Sequence, residues 1–123
     1  MVDQEDRGAD RRMWHVTLTV AGDPIPQDDI KDGLAQLAHE RPFLLTGRYA
    51  PDRAEVRYWE EAPCLEDAAA LALRLWGEHQ GTAGLPLWEI VGLEVLERDV
   101  FQLRSIRGDR EGRLAPAGAV RLF

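Results

Sequence analysis

The residues best suited to chemistry lie on two segments in which polar and apolar side chains alternate. His15 and Thr17 alternate with apolar residues in the first segment, and Arg57 and Trp59 do so in the second. An imidazole titrates close to neutral pH and can serve as a general base, and a guanidinium can hold an anionic group. If the two segments share one sheet face, the sequence predicts a possible pocket with His15 as base and Arg57 as anion holder.

The same surface has a non-catalytic interpretation, which we favour. A sheet face that carries a tryptophan and lacks an obvious cover is usually closed by a partner subunit. We therefore expect a non-enzymatic interaction, accessory or regulatory domain that self-associates through Thr17, Arg57 and Trp59. The alternative is a small enzyme or small-molecule binder of the dimeric α/β-barrel kind, with its pocket around His15.

Other reactive side chains have simpler explanations. His39 and His79 fall near the C-terminal ends of two predicted helices, where a cation stabilises the helix dipole. The sequence lacks a His-x-x-x-His pattern, and its single cysteine, Cys64, excludes a Cys-only site, so neither a metal nor a cofactor is expected. Acidic neighbours disfavour the Cys64 thiolate, so we interpret this residue as packing or capping. We assign Trp76 and Trp88 to the core.

Composition restricts the class of protein further. The chain has 123 residues, 45% of them hydrophobic, and a net charge of −7, as expected for one folded domain. The acidity disfavours nucleic acid as a partner, and no apolar run is long enough to span a membrane. The polar, acidic N-terminus does not have the pattern of a signal peptide, which predicts a cytoplasmic protein. The expected partner is a further copy of this chain, in a homo-oligomer, or an unknown protein.

Periodicity predicts the elements that would position these residues. Period-2 patterns indicate strands, 3.6-residue patterns indicate helices, and Ala-Pro-Asp-Arg between the second and third strands indicates a hairpin turn. The second helix should end at Gly81, and the last strand should be covered for much of its length. The predicted order is a strand over 13–21, a helix over 26–41, strands over 42–49 and 53–60, a helix over 64–80 and a strand over 88–97.

This order resembles the ferredoxin-like superfold over residues 13–98. The resemblance implies an α+β domain with a four-stranded antiparallel sheet in the order 4-1-3-2 and two helices on one face. The loop AGDPIP after the first strand lacks both the cysteines of metal-carrying relatives and the glycine-rich, arginine-containing loop of acylphosphatase-like relatives. Residues 1–12 are expected to form a disordered arm, and residues 99–123 a short helix or extension followed by a flexible tail.

The last five residues, AVRLF, are apolar at Val120, Leu122 and Phe123. These side chains could dock on their own domain or serve as a short linear motif for a partner. The Leu-Phe ending is similar to the motif by which bacterial replication and repair proteins bind the sliding clamp, although the glutamine that usually opens that motif is absent.

Overall fold

The computed structural model describes residues 12–41, 43–107 and 119–123. Within these residues the chain forms five strands and three helices. Residues 1–11 of the predicted arm and residues 108–118 of the predicted flexible tail lie outside the described residues, but Arg12, which was assigned to the arm, opens the first strand and pairs with Ala62. The elements are β1 (Arg12–Ala21), α1 (Gln27–Glu40), β2 (Leu44–Ala50), β3 (Arg53–Ala62), α2 (Leu65–Ala83), β4 (Glu89–Glu97), α3 (Arg98–Arg107) and β5 (Ala119–Leu122).

The sheet has the order β4-β1-β3-β2-β5. Its first four strands are antiparallel neighbours in the predicted order, and the α+β fold class is confirmed. The predicted count of four strands and two helices is too low, because it omits β5 and counts the segment of α3 only as a short helix or extension outside the domain. β5 pairs with β2 in parallel, which makes the sheet mixed. Ala50 pairs with Arg53 around Pro51 and Asp52, so the predicted hairpin turn is correct.

The core lies between one sheet face and the helices α1 and α2. Alternate residues of β1 enter it, as expected from the period-2 pattern: Trp14, Val16, Leu18 and Val20 are all at most 5% exposed. The indole N–H of Trp76 donates to Pro86 O at 2.9 Å, and that of Trp88 donates to Asp23 O at the same distance. Both tryptophans are thus buried with their polar groups satisfied, as the sequence predicted.

The end of α2 differs from its prediction. The helix continues through Gly81 to Ala83 and stops at Gly84, whose φ of 72° lies in the left-handed region. The backbone N–H groups of Gly84 and Leu85 both donate to Gln80 O, which satisfies a carbonyl that the helix would otherwise leave open. The predicted helix end at Gly81 is therefore wrong.

β4 is an edge strand, which corrects the expectation that it would be covered. Val91 is 60% exposed and Leu93 is 37% exposed. Leu93 pairs with Leu18 and so belongs to the helix-facing row, but none of the described strands flanks it on its outer side. An apolar composition predicts a strand but does not distinguish the edge of a sheet from its centre.

The apolar C-terminus forms the opposite edge of the sheet. Val120 pairs with Gly47 and packs against the core, and the backbone N–H of Phe123 donates to Tyr49 O at 2.9 Å. Leu122 and Phe123 remain about half exposed. In the described part of the chain, no helix has the length and apolar character needed to cross a membrane.

Candidate functional site: the sheet face beneath α3

The face of the sheet opposite α1 and α2 carries the predicted site residues, and we call it the open face. Because directly paired residues of neighbouring strands point to the same side, the register places them in cross-strand rows. His15 pairs with Leu96 and Trp59, and Thr17 pairs with Glu94 and Arg57. The topology therefore brings His15, Thr17, Arg57 and Trp59 onto one surface, as the sequence predicted.

A helix covers part of this face, contrary to the expectation that nothing in the chain would. α3 follows β4 directly and packs back against β1 and β4. Its Phe101 ring stacks on the His15 imidazole, with centroids 3.8 Å apart and planes 15° apart. Trp59 meets both rings edge to face, at 5.4 Å from His15 and 5.3 Å from Phe101. His15, Trp59 and Phe101 form what we call the aromatic cluster.

The environment of His15 favours a neutral imidazole. The residue is only 3% exposed, and Nδ1 has no hydrogen-bond partner among the described residues. Burial, with a smaller contribution from the nearby Arg57 charge, lowers the pKa of His15 from 6.5 to about 4. A base with so low a pKa and without solvent access is poorly suited to proton abstraction near neutral pH.

Arg57 does not form an open anion site, because it lies beside a carboxylate. Its Nε lies 3.4 Å from Glu55 Oε1, two residues away on the same face of β3, and both side chains are largely buried. The carboxylate offsets the guanidinium charge. Thr17 lies between Glu94 and Arg57 in the cross-strand row and is half-buried.

The tail residues reach both faces at the far edge of the sheet. Val120 lies on the helix side, because a Cβ added at Gly47 would meet Val120 Cγ2 at 3.6 Å and Leu34 Cδ1 at 3.7 Å. On the open face, the Arg48 guanidinium lies 5.2 Å from the centre of the Phe123 ring, within cation–π range.

The remaining candidates have structural roles. His79 Nδ1 lies 2.6 Å from Glu40 Oε1, and Thr82 Oγ1 donates to the same oxygen at 2.8 Å, so His79 joins α2 to α1 rather than capping its own helix. These hydrogen bonds, with a further one from Gln36, lower the pKa of Glu40. Cys64 occupies the N-cap position of α2 without a side-chain hydrogen bond.

His39 is exposed in the last turn of α1. A side chain at this position can interact with the helix dipole, as the sequence analysis expected. Among the residues that the structure describes, no group of three or more His, Cys, Asp and Glu side chains could hold a metal ion.

Sequence reasoning missed Phe101 and the Glu40–His79 pair. The apolar pair Val100 and Phe101 within RDVFQLRS was the available signal for a helix that packs on one side. The pairing of Glu40 with His79 had no sequence signal, because the two residues are 39 positions apart on different helices.

Comparisons with known proteins place the chain in a family. No curated protein matches it. An acylphosphatase from Coxiella burnetii is similar in structure, with 12% identity, a TM-score of 0.39 and coverage of 94% of this chain and 96% of the other. A REP-associated tyrosine transposase bound to a REP hairpin has 11% identity and a TM-score of 0.41, and the match covers 77% of this chain and 62% of that one. Likenesses with such low TM-scores support no functional assignment.

A family model matches residues 13–112, from the second residue of β1 to beyond the end of α3. The matched region contains the aromatic cluster and stops before β5. Since it covers most of the chain, the protein belongs to the family described as "Domain of unknown function (DUF8830)".

Proposed function

We propose that this domain is a non-enzymatic protein-interaction module that self-associates on the open-face side of its sheet. The observation that carries the proposal is the closure of the aromatic cluster. Phe101 occupies the space above His15 that a substrate would need, and α3 becomes the outer layer of this side of the molecule. A surface for another protein chain fits this arrangement better than a pocket does.

The outer layer carries two exposed apolar side chains among polar and charged ones. Val100 is 42% exposed and Leu103 is 62% exposed, although α3 already uses Phe101 to pack on the sheet. On β4, Val91 is 60% exposed, and Glu94 pairs with Arg104 of α3 at 3.2 Å, which joins helix and strand. Exposed apolar side chains close to a strand edge that no other described strand pairs with are features that proteins usually cover by association.

A second copy is the occupant we propose. The edge of an antiparallel strand can pair with its own copy across a twofold axis, since both partners then contribute the same surface. The enzyme alternative around His15 is supported less well, because His15 is buried with a low pKa and Arg57 is paired with Glu55.

Sedimentation equilibrium over a wide concentration range tests the proposal. The full chain should form a dimer, and Leu103→Ser should weaken it about tenfold, equivalent to about 1.4 kcal/mol, by removing an exposed apolar contact. Leu73→Ser is the matched control, because Leu73 is 52% exposed on α2, on the other side of the sheet. A monomer at all concentrations, or equal effects of the two variants, would contradict the proposal.

A further inference from the structure

A second surface lies at the other side of the molecule, where the start of α1 approaches the end of α2. A groove of about 610 Å³ runs between them, and we call it the α1–α2 groove. Its apolar lining is formed by Ile25, Pro26, Ala83, Pro86 and Leu87, and its acidic lining by Asp29 and Asp32. None of these residues belongs to the open face or to the surface proposed for self-association.

The apolar wall of the groove is anchored from behind. Leu87 is 89% exposed, yet it sits between two anchored neighbours. Pro86 O accepts hydrogen bonds from Trp76 Nε1 at 2.9 Å and from Gln80 Nε2 at 3.0 Å, and Trp88 is buried beside it. The backbone at Leu87 is thus held in place before any partner binds, which reduces the entropy lost on association.

The opposite wall and the floor are held as well. The Ile25 backbone N–H donates to Pro51 O at 3.0 Å, which ties the segment before α1 to the β2–β3 turn. On the floor, Gly33 brings α1 close to the end of α2: an added Cβ would lie 3.2 Å from Leu85 Cδ2 and 3.4 Å from Ala83 O. Both walls of the α1–α2 groove are therefore held in position before a ligand binds.

The electrostatics of the groove are negative. Asp29 and Asp32 contribute two carboxylates on α1. The partial negative charge at the C-terminus of the 19-residue helix α2 is opposed by the partial positive charge at the N-terminus of α1, so the net negative charge of the groove comes from the two carboxylates. A lysine or arginine side chain, in which a cation ends an apolar stem, would pair with the carboxylates and pack on the apolar lining.

From this combination we infer that the α1–α2 groove binds a peptide segment of another protein in which arginine or lysine flanks a leucine-like residue. The apolar side chain packs beside Leu87, and the flanking cations face Asp29 and Asp32. The inference is independent of self-association, because it concerns different residues.

The test uses the full chain labelled with ¹⁵N and titrated with an acetylated, amidated peptide in which two arginines flank one leucine between glycine and serine residues. We expect saturable amide shifts centred on Gly33, Gly84 and Leu87. The double variant Asp29→Asn with Asp32→Asn should weaken binding about fivefold to tenfold, as two partly exposed charge pairs would. Leu87→Ser, at a position that is almost fully exposed, should also weaken binding without unfolding the chain.

The matched control is the double variant Glu66→Gln with Asp67→Asn, which removes the same charge from the opposite end of α2 and should leave the affinity unchanged. Equal weakening by both double variants would overturn the proposal in favour of non-specific charge attraction. Equal binding of a peptide with glutamine in place of arginine, or equally tight binding of free arginine amide, would also overturn it. So would groove shifts that depend on protein concentration without peptide, which would identify a second copy as the occupant.

Discussion

The Phe101 ring and the His15 imidazole stack in nearly parallel planes with their centroids 3.8 Å apart. One partner is on the interior strand β1, and the other is on a helix that follows the last strand of the predicted domain. The contact buries a histidine that would otherwise face solvent on the open face, and it turns a candidate base into part of a packed layer.

The stack predicts a pH-dependent stability. The pKa of His15 is about 4 in the folded chain and 6.5 for an unperturbed histidine. Above pH 6.5 the imidazole is neutral in both states; as the pH falls from 6.5 to 4, the unfolded chain takes up a proton that the folded chain does not. Stability is therefore lost across this window, by up to about 3 kcal/mol for this group.

His15→Phe removes the titration and keeps an aromatic ring against Phe101. We expect its unfolding free energy in urea to exceed that of the natural chain by an amount that grows as the pH falls from 6.5 towards 4. His39→Gln serves as the control, because His39 is exposed, and it should show no such growth. Parallel stability curves for His15→Phe and the natural chain would show that His15 is not held neutral.

The end of α2 gives a prediction with an internal control. Gly84→Ala places a Cβ at a φ of 72° and should lower the unfolding free energy by about 1 kcal/mol. Gly81→Ala should raise it by a similar amount, because Gly81 lies within the helix and an added Cβ would meet nothing within 4 Å. Chemical denaturation of the two variants measures both effects. The reverse result, with Gly81→Ala destabilising and Gly84→Ala stabilising, would place the helix end at Gly81 instead.

The C-terminal strand should contribute to stability through its inward residue. Val120→Ser should lower the unfolding free energy by about 1 kcal/mol, because Val120 is half-buried and packs against the core. Leu122→Ser is expected to cost less, since Leu122 is 50% exposed. Thermal melting of both variants checks the ranking. If neither variant changes the melting temperature, β5 does not contribute to the fold in solution.

The sequence alone determined the alternation of β1, the turn at Pro51 and Asp52, and which side of its own strand His15 or Trp59 occupies. These features depend on local physics: a two-residue period assigns side chains to faces, and proline restricts the backbone in a turn. They were predictable because neighbours along the chain decide them.

Tertiary structure alone decided that Phe101 covers His15, that Glu40 meets His79 and that β4 lies at an edge. α3 is short and its apolar residues are not confined to one stripe, so its packing side had no clear period to reveal it. The apolar residues of β4, Val91 and Leu93 among them, are typical of a covered strand, but their exposure depends on which strands pair beside β4. Contacts between residues distant in sequence depend on how the whole chain packs, and local patterns do not encode that arrangement.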